Sequence, residues 1–409
     1  MKKIKLGQVL DVKRGTSLSG YYYSKNGKYV RLTLGNFKYP ECGWKENTSK
    51  EDLFFIGPIK KEFILKKGDI ITPLTEQVRG LLGNTATVPC DDLYIQSGDI
   101  GLVIPNEQEI DKRYAYYLLS SPIVKKQLDA GSQQTKIRHT SPDAIKNCSA
   151  YILDKNNQKK VAKFLDLINE KIEINNRIND NLQQLLNDTF SYWFKQFQFP
   201  DESGKPFKLN NGQMKWSNEL KTYIPYGWNV KTLKDILKKN NAPVISISSN
   251  VDTIDLSVMP SDSLSLNQIN NSDNFTTNLF EMNEGDLLFG SIRPYLHKAG
   301  IAPIKGYVAG TVHSYSVIDS FNYNLALSIL TSKDLFNYAV KVSTGTKMPI
   351  VSSDNLLNFK FAYSEDIAKL FSNLDIKSKI IKNIQENFKL IKIRDYLLPL
   401  LMNGQATIV

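Results

Sequence analysis

The sequence predicts a mixed α/β (α+β) protein: two globular domains separated by an antiparallel coiled coil of two long helices, with a pseudo-two-fold internal repeat. Three observations predict it. The chain repeats itself in order, because residues 116–147 align without a gap against residues 327–358, placing Thr135 and Lys136 opposite Thr346 and Lys347. Short β-branched and aromatic runs bounded by Gly, Pro and Asn recur in both halves, each set followed by an amphipathic pattern. Each half then closes on a stretch whose apolar residues return every three or four positions.

The elements follow in order. Residues 1–153 form the first globular domain, with strand signals in EFILKKGDIIT, TATVP and IGLVIP and one amphipathic helix over 112–130. Residues 154–198 form the first long helix. Its stripe runs through Val161, Phe164, Leu165, Ile168, Ile172, Asn175, Ile178, Leu182, Leu185 and Leu186. At 1.5 Å per residue, a helix over 157–194 is about 57 Å long. Asn175 and Asn179 lie on that stripe, where polar residues commonly set register and partner. Residues 199–225, rich in Gly, Pro, Asn and Lys, are an exposed connector that turns the chain back. Residues 226–363 form the second globular domain, with GDLLFG at 285–290 repeating GDIITP at 68–73 and one helix over 323–342. Residues 364–409 hold the second long helix and the C-terminal tail, with Ile367, Leu370, Phe371, Leu374, Ile381, Ile384, Phe388 and Ile391 in its stripe. Ser141 and Ser352, aligned in the repeat, read as helix or turn starts.

Composition narrows the function. The chain has 409 residues, beyond one ordinary domain, and a net charge of +11, which favours a polyanionic partner. The excess is concentrated: residues 1–150 carry 23 basic against 16 acidic side chains, while residues 226–362 carry 11 of each. No apolar run approaches a membrane span, and the three cysteines, Cys42, Cys90 and Cys148, make neither a disulfide framework nor a zinc pattern, so a cytoplasmic location is expected. A Gly-x4-Gly-Lys-Ser/Thr loop is missing, as are the tetrapeptide and glycine-rich loop usual in adenine methyltransferases. The three histidines, His139, His297 and His313, lie in different segments, and no metal-binding cluster is expected. Asp143 and Asp201, each after a proline, lack the companion residues of a nuclease site.

Together these features resemble the specificity subunit of type I restriction–modification enzymes, over nearly the whole chain. The segment FLDLINEKIEINNRINDNLQQLLNDTFSYWF (164–194) is similar to that family's central conserved region. IPYGWNVKTLKDIL (224–237), GDLLFGSIRPYLHKAG (285–300) and TGTKMPIVSSDNLLNF (344–359) are similar to recurring family phrases. The resemblance implies two target recognition domains, each reading one half of a split double-stranded DNA site, and no catalysis in this chain. It implies helices that set the domain spacing and dock two methyltransferase (modification) subunits, with restriction subunits completing the complex. S-adenosylmethionine, ATP and Mg²⁺ are then expected in the partners, with no cofactor here. The alternatives are a stand-alone DNA methyltransferase or nuclease, and a coiled-coil scaffold that binds protein only.

Two repeated loops per domain supply the candidate DNA contacts. One holds Arg79, answered by Arg293 with Lys298; the other holds Gln133, Gln134, Lys136, Arg138 and His139, answered by Thr344, Thr346 and Lys347. Arg binds guanine bidentately and Gln adenine, whereas Lys chiefly meets phosphate. Arg293 reads equally as a structural cap, since Arg79 sits at the same place in a domain with another target. Base readout from unshared positions points to the stretches 21–31 and 261–274. On the helices, Lys171, Arg177, Tyr192, Trp193 and Phe194 are candidates for partner contact, with Trp193 and Phe194 read also as core against the connector.

Overall fold

The computed structural model describes residues 2–39, 41–131, 137–240, 242–276 and 278–408. It divides into two units, Met1–Asn169 with Lys392–Val409, and Glu170–Ile391. The helices are α1 (Lys112–Leu119), α2 (Pro122–Gly131), α3 (Pro142–Asn147), α4 (Lys155–Phe190), α5 (Tyr323–Leu330), α6 (Lys333–Val342), α7 (Ser353–Leu357), α8 (Glu365–Phe371) and α9 (Lys377–Met402).

In the first unit, Lys2–Lys5 pairs antiparallel with Ser149–Ile152. A four-stranded antiparallel sheet follows in the order Leu10–Arg14, Ile100–Pro105, Ile70–Pro73, Ala86–Thr87. Consecutive strand residues point to opposite faces. Ile70 enters a core with Leu6, Tyr114 and Leu165, while Ile71 enters a second core with Leu32, Leu65 and Ile100. Burial on both faces is why this strand reads as an unbroken apolar run and does not alternate.

The second unit repeats the plan. Asn229–Thr232 pairs with Lys360–Tyr363, and the sheet order is Leu237–Asn240, Val312–Val317, Leu287–Gly290, Ala299–Ile301. The aligned residues pair alike: Ile71 faces Ala86 in one sheet, and Leu288 faces Gly300 in the other. Each unit also carries a smaller sheet with one parallel pair, Tyr29–Arg31 beside Tyr94–Ile95 and Asp252–Ile254 beside Gly306–Ala309.

Three predicted helices are each divided in two. The helix expected over 112–130 breaks after Leu119, because Pro122 has no N–H to continue the ladder and disfavours helical backbone at Ser121. The one expected over 323–342 breaks at the aligned place, where Ser332 Oγ accepts the N–H of Leu335 at 3.2 Å and starts α6. The second long helix, expected unbroken from 364, stops at Phe371 and restarts at Lys377. Asn324, buried on α5, donates from Nδ2 to the carbonyls of Phe371 and Leu374, both at 2.9 Å, and so satisfies the helix end. The serine starts hold: Ser141 Oγ accepts from Ala144 at 3.0 Å, and Ser352 Oγ from Asn355 at 3.2 Å.

Helices α4 and α9 pair antiparallel. In the second unit Asn175 meets Asn387 at 2.8 Å and Asn179 meets Asn383 at 2.8 Å, so numbers rise on one helix as they fall on the other, and Lys171 pairs with Glu386 at 3.1 Å beside them. In the first unit Arg394 donates to Asn169 at 3.0 Å. Ile172, Leu186, Ile380, Ile381 and Ile384 fill the seam or the core beside it. Ile178 and Leu185, assigned to that seam from spacing, instead lie 41% and 48% exposed on another face of α4.

Candidate nucleic-acid interface

In the first unit the strand Thr75–Glu76 pairs antiparallel with Arg138–His139. Glu76 is buried, and its Oε2 accepts the N–H groups of Gly80, Leu81 and Leu82 at 3.0, 2.9 and 2.9 Å. Its other oxygen holds Arg138 at 2.8 Å. A buried carboxylate needs such partners, since leaving water unpaired costs several kcal/mol. Arg138 also reaches Asp129, both the carboxylate and the main-chain carbonyl, at 2.6 Å. The structure thus turns Arg138 inward, with only 13% of its side chain exposed, and departs from its expected place on the DNA side.

Arg79 stands at the rim with 78% of its side chain exposed. Its fork meets Asp129 through Nε at 3.2 Å and Nη2 at 2.8 Å, and Tyr39 Oη donates to its carbonyl at 2.7 Å. The bond from Arg79 and then that from Arg138 hold the Asp129 carboxyl down at about 2. A cleft of about 280 Å³ opens here, and Lys125 and Lys126 add cations to its wall. Lys125 also bonds Asn84 Oδ1. His139 is exposed. Gln133, Gln134 and Lys136 lie outside the described residues.

The second unit rebuilds the same backbone. Thr140 N–H donates to Leu74 O at 2.8 Å; the aligned Val351 N–H donates to Ser291 O at 2.9 Å. Thr344 and Ile350 exchange two bonds of 2.9 Å and close a hairpin whose tip exposes Thr346 and Lys347. Arg293 opens the short turn Pro294–Leu296 with φ 52° and ψ 60°, and its N–H donates to Pro349 O at 2.7 Å. Its guanidinium is exposed and engages no partner among the described residues. Lys298 points inward, donating to Leu256 O at 2.7 Å, and burial lowers its pKa; a contact with DNA, expected from sequence, does not suit that position.

The two stretches expected to read bases are partly occupied. Arg31 lies buried against the Tyr23 ring at 3.7 Å and bonds Asp52 O at 3.1 Å, while Tyr21 is 86% exposed. The loop over 261–274 packs on α4: Leu264 N–H bonds Gln183 at 3.0 Å, and Asn267 bonds Asn176 at 3.1 Å. Of the partner-contact candidates, Arg177 and Tyr192 are exposed, and Lys171 is half-exposed in its ion pair with Glu386. Trp193 is half-buried against Phe371. Phe194 is 5% exposed between Trp228 and Phe371, so it is core and not an anchor for another chain. Sequence reasoning missed Glu76 and Asp129, which orient the arginines; the one signal was an acidic residue beside a buried strand. Among the described residues no cluster of His, Cys, Asp or Glu is placed to hold a metal, and no helix is long and apolar enough to cross a membrane.

The architecture defines a class: a protein of two like α/β units, each presenting a strand-and-turn loop with an exposed arginine. Residues 1–184 match the family described as the type I restriction modification DNA specificity domain. The type I restriction enzyme MjaIX specificity subunit of Methanocaldococcus jannaschii is 27% identical over 331 residues, covering 75% of this chain and 71% of that one. The HindI specificity subunit of Haemophilus influenzae is 28% identical over 165 residues, covering 40% and 34%. The fold is shared with the S subunit of a type I restriction–modification system from M. genitalium, at a TM-score of 0.56 and 16% identity over 98% and 96% of the two chains. The first 184 residues thus match the specificity-domain family, and the chain is similar along three quarters of its length to a type I specificity subunit.

Proposed function

We propose that each unit of this specificity subunit reads one half of a bipartite double-stranded DNA site. The chain supplies recognition, while methyl transfer and cleavage reside in two methyltransferase subunits and in restriction subunits that bring S-adenosylmethionine, ATP and Mg²⁺. The observation that carries this is the duplicated loop: the same backbone bonds, Thr140 to Leu74 and Val351 to Ser291, present Arg79 and Arg293 at the surface of units that differ elsewhere. Shared geometry suits a common target form, and divergent side chains suit different sequences. Ile178 and Leu185 on α4 and Tyr192 in the turn that follows it, spaced by seven and each 39–48% exposed, support docking of a helical partner there. A cytoplasmic setting follows from these partners.

The test is co-expression with a methyltransferase subunit from the same genome, followed by sequencing of modified bases in host DNA. One split motif, lost when this chain is omitted and changed in one half when residues 1–150 are exchanged, supports the reading. Methylation that persists unchanged without the chain overturns it.

A further inference from the structure

We infer that Arg293 is a base-reading, specificity-determining residue of the second unit, its guanidinium meeting a guanine in that unit's half-site. The inference rests on the proposed reading of DNA and narrows it to one side chain.

The first observation is strain. Arg293 (φ 52°) and His297 (φ 51°) both adopt left-handed backbone on either side of the turn Pro294–Leu296. For a residue with a Cβ this conformation is unfavourable, and such outliers persist where surrounding structure over-determines them. The corresponding turn of the first unit places its positive φ values on glycines, Gly80 (99°) opposite Pro294 and Gly83 (82°) opposite His297, which tolerate them without penalty, and none on Arg79. Glycine would serve the backbone equally well at 293, so the arginine is present for its side chain.

The second observation is the clamp. Arg293 N–H is held by Pro349 O at 2.7 Å, and Leu296 N–H closes on Arg293 O at 2.8 Å. His297 stacks on Phe336 at 4.6 Å between ring centroids, bonds Asp262 Oδ1 through Nδ1 at 2.9 Å, and accepts the Asp262 N–H on its carbonyl at 3.0 Å. These bonds hold both ends of the turn, and the direction in which the arginine leaves the backbone is set.

The third observation separates a base from a phosphate. Phosphate contact needs charge near the backbone and tolerates a mobile lysine, whereas bidentate contact with guanine needs an oriented fork. The residues beside Arg293 divide those roles: Lys347, at the exposed hairpin tip, is a flexible cation, whereas Tyr295, Met348 and Ile350, 50%, 52% and 44% exposed, flank the arginine with apolar surface. Arg79 differs, because Asp129 already occupies its fork. Arg293 is the repeat arginine left open for a planar, two-acceptor edge.

The experiment compares wild type, R293G and R293K as full-length chains co-produced with the methyltransferase subunit, selecting from duplex oligonucleotides with both half-sites randomised. R293G should keep or raise the Tm, because glycine relieves the left-handed strain. It should lose discrimination at one base pair of one half-site by roughly 5- to 150-fold, the other half-site being unchanged. R293K should fail at the same base pair despite its charge. R293G selecting the wild-type motif overturns the inference, as does R293K restoring it. A wild type that selects no sequence at all overturns both this inference and the proposed function.

Discussion

Asn175 on α4 and Asn387 on α9 meet side chain to side chain, Nδ2 to Oδ1 at 2.8 Å, both at or below 1% exposure. Asn387 in turn donates to Asn176 and to Asn267, each at 2.9 Å, and one turn away Asn383 donates to Asn179 at 2.8 Å. A one-turn slip of either helix would strand these amides in an apolar seam. The ladder therefore sets a single register, and through Asn267 it ties the loop of the second unit to the helix pair.

Replacing Asn387 with leucine should cost about 1–3 kcal/mol, because Asn175, Asn176 and Asn267 each lose a partner and Asn175 stays buried. The double variant N175L/N387L should recover part of that loss. Urea denaturation of the full chain measures both, and strictly additive effects would show that the pair is not coupled.

Arg138 and Arg79 share Asp129 but should respond oppositely. R138M removes the ion-pair partner of the buried Glu76 and should destabilise the first unit by about 3–5 kcal/mol. R79A removes a largely exposed pair, screened by solvent, and should leave the stability close to that of wild type. Thermal unfolding of the two variants checks the ordering.

His313 gives a pH dependence of known sign. Burial lowers its pKa below 6.5, against an opposing bond from its Nε2 to Val351 O at 2.9 Å. Between the lowered native value and 6.5 the unfolded chain binds the proton and the native one does not, so stability rises with pH across that interval and levels off above it. The Tm of wild type should climb as pH rises toward about 6.5, and H313Q should flatten the climb.

The exposed face of α4 should matter for assembly and not for folding. I178E/L185E places charge on solvent-facing positions and should shift stability by no more than about 0.5 kcal/mol. It should abolish co-purification with the methyltransferase subunit. Retained co-purification would place the docking surface elsewhere.

DNA affinity should fall linearly with salt on logarithmic axes, and K347A should lower the slope by about one without changing the selected sequence. Titration at several ionic strengths decides it, and a changed motif would make Lys347 a base contact.

Much of the architecture was legible because it is written in local patterns. The gapless alignment of 116–147 with 327–358 reappears as matched hydrogen bonds at Leu74 and Ser291, and even the helix breaks fall at aligned positions. The break between α8 and α9 was not legible. It depends on Asn324, about fifty residues earlier, whose amide caps a helix it does not belong to. The loop over 261–274 misled in the opposite way: its polar residues look free for DNA, yet Leu264 and Asn267 are held by α4.

Sequence by itself determined the duplicated plan, the long helical pair and the resemblance to a family, since repeats, strand runs and three-and-four periodicity are properties of neighbouring residues. Only the tertiary structure decided which cations are available. Arg79, Arg138, Arg293 and Lys298 are alike as letters. Asp129, 50 residues from Arg79 and 9 from Arg138, engages both, Leu256 O takes Lys298, and Arg293 is left facing solvent. Pairing of charges is settled by distance in space, and distance in space is what the chain acquires only on folding.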